Sequence, residues 1–159
     1  MATAYRISKQ QFAGNSDELM SGKGGFLHGG RWHSAGQRAV YLSSSLSLAM
    51  LEILVHGMSY KKRLLSYCYA KVEFDESLLI APPISQLPEG WDELAVDPLA
   101  SQAFGDYWLQ QQGSLLLQVP SVVIPSECNY IVNRDHSEFS RLHIGDIQPL
   151  PIDPRLFEV

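Results

Sequence analysis

Tyr41 to Gly57 reads YLSSSLSLAMLEILVHG, and the fold turns on how this stretch divides. Tyr41-Leu42 closes a β-like run that begins at Arg38 (RAVYL), and three serines interrupt it. From about Leu46 to His56 the residues are apolar in nearly every direction around a helix. A serine stands at the N-cap and Gly57 at the C′ stop. A helix apolar almost all round is expected to be buried. At about 100° per residue, Ser45, Ala49, Glu52 and His56 fall on one narrow, more polar line. A carboxylate on a mostly buried helix is costly unless it is paired or hydrogen-bonded. Glu52 therefore has three readings: its line faces water, it pairs with His56 one turn on, or it lines a cleft beside a reacting centre.

Upstream, Ala4 to Ile7 (AYRI) reads as a short opening strand carrying Arg6. Gly14 to Gly30 is loop-like and glycine-rich, either a surface loop or a flap beside a ligand. It contains neither GxGxxG nor GxxxxGK[ST], so neither nucleotide-loop motif is present. Downstream, Leu64 to Phe74 reads as a strand, and Leu78 to Ala81 as a short one ended by Pro82-Pro83. Asp97-Pro98 marks a helix start, with Asp97 as cap and Pro98 at the first helical position; the helix runs to about Gln112 and stops at Gly113. Gly105 inside it weakens its continuity. Leu115 to Ile124 is β-favouring, with Pro120 imposing a bulge or a break. Tyr130 to Val132 and His143 to Pro149 add short strands, and the tail ends in a helical turn. Many short strands and two helices, without βαβ alternation, give an α+β fold expected to form one domain over residues 1–159.

The composition fits that fold. The 159 residues are 45% hydrophobic and 18% charged, which suits one core and excludes a disordered chain. Twelve Lys and Arg against 17 Asp and Glu give a net charge of −5, a poor footprint for wrapping nucleic acid. No signal-peptide core or membrane-length apolar run is present, so a soluble cytoplasmic protein is expected. Cys68 and Cys128 lie in strand-like runs without ligand spacing and read as buried free thiols.

Arg31, delivered by the glycine-rich segment, is either a surface residue or a guanidinium shaped for bidentate phosphate contact; Arg6 has the same two readings. Tyr41, at a strand end, is half-buried packing or a ring for stacking a planar heterocycle with its hydroxyl free to bond. His28 and His33 lack a partner that would complete a metal set, and no HExxH occurs. Ser121, in VPSVV, lacks the GxSxG setting of a nucleophile and, if functional, is a hydrogen-bond donor. Asn129 and Asn133 either cap turns or bond a ligand.

Taken together, Tyr5-Arg6, GGRWHS (Gly29 to Ser34), VYLSSSLSLAMLEILVH (Val40 to His56), VPSVVIPSECNYIVN (Val119 to Asn133) and DPRLF (Asp153 to Phe157) resemble RES-domain proteins, the toxin half of bacterial RES–Xre toxin–antitoxin pairs. The positions matching the arginine, glutamate and serine that name the family are Arg31, Glu52 and Ser121. The resemblance implies a fold similar to ADP-ribosyltransferases, with an NAD⁺ cleft between sheet and helices. It implies NAD⁺ as substrate rather than cofactor, destroyed by hydrolysis or phosphorolysis of the nicotinamide–ribose bond; some relatives instead transfer ADP-ribose to protein. It implies an Xre-type helix-turn-helix antitoxin covering the active site, and a homodimer within the toxin–antitoxin complex is an expected assembly. On that reading Glu52, Arg31 and Tyr41 are catalytic. Arg6, Arg31, Tyr41, Ser121 and Asn129 hold NAD⁺, with Ser121 bonding the nicotinamide or ribose. No metal is expected. A noncatalytic antitoxin-binding subunit is the alternative from another class.

Overall fold

A computed structural model describes residues 1–56, 66–94 and 97–157. Among them one mixed sheet of eight strands dominates, in the order β4-β5-β6-β2-β1-β3-β7, with β8 also paired to β3. The strands are β1 (Ala2–Lys9), β2 (Ala39–Ser43), β3 (Tyr67–Phe74), β4 (Leu79–Ile80), β5 (Leu116–Pro120), β6 (Cys128–Asn133), β7 (His143–Ile144) and β8 (Gln148–Pro149). Only β4 and β5 run parallel; the other pairings are antiparallel. The helices are α1 (Ser16–Leu19), α2 (Lys23–His28), α3 (Leu46–Val55) and α4 (Leu99–Gln111). The architecture is α+β.

Side chains alternate across the sheet with the period of two that a pleated strand imposes. Val40 and Leu42 of β2, Leu116 of β5 and Tyr130 and Val132 of β6 enter one core with Ala70, Val72 and Phe74 of β3. Ala39, Leu117, Val119 and Ile131 enter a second core on the other face, where Trp108 and Leu109 of α4 and Trp32 cover them. A third, smaller cluster seats Ala49 of α3 against Ile7 and Leu150.

One seam in the sheet decides where a ligand can go. β1 pairs with β3 along its whole length, from Ala2 opposite Phe74 to Lys9 opposite Tyr67. β2 pairs with β6 along its whole length as well. β1 and β2, by contrast, meet in register only at Tyr5 and Ser43. Beyond that point the strands diverge. Arg6 spans the gap: its Nη1 donates to the Tyr41 carbonyl at 3.3 Å and its Nε to the Leu19 carbonyl at 3.2 Å.

Several expectations change in detail. α3 starts as its sequence dictates, with Ser45 Oγ accepting the Leu48 N–H at 3.1 Å, but it is not buried all round. Leu48 and Ala49 are covered, while Leu51 is 38% and Val55 57% exposed. Apolar composition reports how much surface needs cover, not whether the chain itself supplies it. The Gly57 stop and the start of the strand expected at Leu64 lie outside the described residues. The glycine-rich stretch is not all loop. Asn15 Oδ1 caps α1 by accepting the Glu18 N–H at 2.9 Å, and Glu18 reaches back to the Gly14 N–H. α4 begins one residue later than Asp97-Pro98 suggests, with Pro98 at the cap position, and ends with Gln112 in the left-handed region at φ 53°. β5 stops at Pro120, and His143–Pro149 divides into β7 and β8. Cys68 is a buried free thiol, whereas Cys128 is half-buried.

Candidate active site

The diverging strands open a cleft of about 450 Å³. Arg6 and Ile7 of β1 form one side, Tyr41 and Ser43 of β2 the floor, Ala49, Glu52, Ile53 and His56 of α3 a second side, and Gly29, Gly30 and Arg31 the far wall. The line of Ala49, Glu52 and His56 thus faces this cleft. No hydrogen bond or ion pair joins Glu52 to His56 among the described residues.

Glu52 is held by one of its two oxygens. Ser121 Oγ donates to Oε1 at 2.7 Å and Asn129 Nδ2 donates to the same atom at 2.8 Å. Each donor is itself oriented. Ser121 Oγ accepts the N–H groups of Val123 and Ile124, both at 3.0 Å, so its own hydrogen is directed to Glu52. Ser43 Oγ donates to Asn129 Oδ1 at 2.9 Å, which fixes which end of the amide meets the carboxylate. Oε2 carries no hydrogen bond among the described residues. Ser121 is fully buried and lies behind Glu52 rather than on the cleft wall, whereas Asn129 does line the cleft. In this arrangement Ser121 supports the carboxylate and its own turn.

The two arginines bring positive charge to the cleft. Arg31 donates from Nη1 to the carbonyls of Trp91 at 3.0 Å and Glu93 at 3.2 Å, leaving Nε and Nη2 without a partner among the described residues. Arg6 keeps Nη2 in the same condition. Neither forms an ion pair with a carboxylate among those residues. Burial pushes the Arg6 guanidinium down to about 10, only partly offset by Cys68, so it stays cationic near neutrality. A half-buried cation with no carboxylate partner among the described residues favours an anion in the space beside it.

Tyr41 presents its ring to the cleft, but its hydroxyl is engaged. It accepts the Trp32 N–H at 3.0 Å and lies 2.7 Å from His33 Nδ1. His33 Nε2 is 2.9 Å from the Gly25 carbonyl, which only a ring N–H can satisfy. Nδ1 is then the acceptor, and Tyr41 donates to it. Burial lowers the His33 pKa, against the opposing pull of the Gly25 carbonyl and Asp106, and keeps the ring neutral; burial likewise raises the Tyr41 hydroxyl above the usual phenol range. Gly30 has to be glycine here, because a Cβ would come within 2.7 Å of the Tyr41 hydroxyl. His33 is thus a scaffold residue. Among the described residues no group of acidic, histidine or cysteine side chains could hold a metal ion.

Sequence reasoning found α4 but missed that it grips the arginine-bearing segment. Ser101 Oγ donates to the Arg31 carbonyl at 2.6 Å, Gln102 Nε2 to the Gly30 carbonyl at 2.9 Å, and Asp106 accepts both the N–H and the hydroxyl of Ser34. These residues recur at helical spacing on α4, which groups them on one face but does not name their distant partners.

The cleft brings two arginines with no ion-pair partner among the described residues together with a carboxylate held through one oxygen, an arrangement that suits an anionic ligand. The chain belongs to the RES domain family, whose pattern matches residues 3–153. It is 34% identical over 154 residues to Toxin Res of Yersinia enterocolitica, covering 96% of this chain and 97% of that one. It is 32% identical over 154 residues to Toxin Res of Photorhabdus laumondii, covering 96% and 95%. It is also 34% identical over 160 residues to the Prs ADP-ribosylating toxin of a Sphingobium species, covering 98% of each chain.

Proposed function

We propose that this protein is a bacterial toxin that cleaves the nicotinamide–ribose bond of NAD⁺ in the cleft between β1, β2 and α3, with water or phosphate receiving the ADP-ribosyl group. The single observation that carries this reading is Glu52: Oε1 is pinned by Ser121 and Asn129, and Oε2 has no partner among the described residues, within a cleft that also holds Arg6 and Arg31. Breaking an N-glycosidic bond builds positive charge on the ribose, and a fixed carboxylate stabilises that charge without having to reorganise. Oε2 would face the ribose. Nε and Nη2 of Arg31, with Nη2 of Arg6, would orient the pyrophosphate, which needs planar, forked donors. The Tyr41 ring would pack against a planar group of the substrate. Nicotinamide leaves readily as a neutral amide, so the site requires no strong general acid.

A second reading, transfer of ADP-ribose to a protein, is favoured by one observation, the printed name of the Sphingobium relative. On either reading an Xre-type helix-turn-helix antitoxin would neutralise the protein by covering the cleft. Incubating purified protein with NAD⁺, with and without phosphate and with and without lysate, and resolving the products by chromatography tests this. ADP-ribose signals hydrolysis, a phosphorylated ADP-ribose signals phosphorolysis, and a labelled protein band signals transfer. An absence of free nicotinamide under all conditions would refute NAD⁺ cleavage altogether.

A further inference from the structure

Arg31 is held more completely than a surface arginine needs to be. Its α-carbon lies between two peptide planes, and α4 bonds each. Gln102 donates to the Gly30 carbonyl, which belongs to the plane before Arg31, at 2.9 Å. Ser101 donates to the Arg31 carbonyl, in the plane after it, at 2.6 Å. The N–H of that second plane, from Trp32, donates to the Tyr41 hydroxyl at 3.0 Å. The backbone at Arg31 is therefore clamped between α4 on one side and the cleft floor on the other. Its side chain is then tied to the Trp91 and Glu93 carbonyls, in the segment that leads into α4.

The helix is shaped for this approach. A Cβ at Gly105 would sit 1.6 Å from the Trp32 carbonyl oxygen, so any other residue would push α4 away. About one and a half turns of helix thus combine a notch at Gly105, donors at Ser101 and Gln102 before it and an acceptor at Asp106 after it. Ser101 and Gly105 are buried, whereas Gln102 is half-buried and can be replaced without opening a core cavity.

We propose that α4 is the positioning element of the anion site, and that Gln102, acting with Ser101, preorganises the Arg31 guanidinium for the pyrophosphate of the ligand. Gln102 is a positioning residue: it works through Arg31. Fixing a binding group before the ligand arrives removes an ordering cost that would otherwise be charged against affinity. The choice of ligand rests on the proposed function; the clamp itself does not.

The test is a double-mutant cycle with ADP-ribose as the probe, measured by calorimetry on wild type, Gln102→Met, Arg31→Ala and the double variant. Methionine keeps the length of glutamine and removes the donor. Loss of one such hydrogen bond should weaken ADP-ribose binding by roughly tenfold in the wild-type background and leave the Arg31→Ala background unchanged. An equal loss in both backgrounds, or no loss in wild type, would overturn the clamp. A ligand-free arm separates the two ideas: ¹⁵N relaxation at the Arg31 side chain should show greater mobility in Gln102→Met at an unchanged melting temperature. Unchanged mobility would overturn the clamp whatever the ligand. A wild type that binds no ADP-ribose would count against the NAD⁺ reading, and the relaxation arm would then decide the clamp alone.

Discussion

Ser121→Ala separates two roles for this serine. If Ser121 touched the ligand, the substitution would raise KM and leave stability alone. The structure places it behind Glu52 instead, fully buried, donating at 2.7 Å to Oε1 and accepting the N–H groups of Val123 and Ile124 at 3.0 Å. Alanine removes the carboxylate's donor and orphans two backbone N–H groups at once. Each orphaned buried donor costs about 1–3 kcal/mol, and since Val123 and Ile124 are only half-buried the pair comes to about 3 kcal/mol. For a chain of 159 residues, that lowers Tm by roughly 6–12 °C. Glu52 keeps only Asn129 and turns more freely, so kcat for nicotinamide release should fall by about tenfold or more while KM moves little. Thermal melting and steady-state kinetics on the same preparation read both effects. A raised KM with unchanged Tm and kcat would refute this placement of Ser121.

Three further outcomes follow from the geometry. His33 is buried neutral, with its pKa held below the usual imidazole value; the stability it contributes should be complete above about pH 6.5 and lost as pH falls through the lowered folded value, so Tm should drop more steeply with acid in wild type than in His33→Gln. Gly105→Ala would force α4 off the Trp32 carbonyl and should cost about 3 kcal/mol or more of stability with loss of activity, read by denaturant unfolding. Arg6→Lys keeps a charge in the cleft but loses the bonds to Leu19 and Tyr41; ADP-ribose affinity measured by calorimetry should fall by about tenfold or more, because a lysine cannot span the seam and face the ligand together.

What could be read in the sequence was what is local. Ser45 before an apolar run marks the start of α3, and the hundred-degree line through Ala49, Glu52 and His56 identifies the helix edge that faces the cleft. What could not be read depends on partners far along the chain. Ser121 lies 69 residues from Glu52, and Gln102 lies 72 from Gly30; no local pattern reports either bond. Gly105 looked like a weakness in α4 because propensity sees only the helix; the Trp32 carbonyl pressed against it makes it a requirement. The apolar girth of α3 suggested burial, yet Leu51 and Val55 stay exposed, since composition is blind to which face meets the sheet. The seam between β1 and β2, which makes the cleft, comes from strands that each find a better partner on the other side.

The central claim is that a singly anchored Glu52 carboxylate drives cleavage of NAD⁺. Nicotinamide release by wild type and by Glu52→Gln, compared at matched folding by circular dichroism, tests it most directly. Glu52→Gln should melt within a few degrees of wild type and release nicotinamide at least about a hundredfold more slowly, the scale set by loss of one preorganised electrostatic group. Equal rates from the two folded proteins would contradict it.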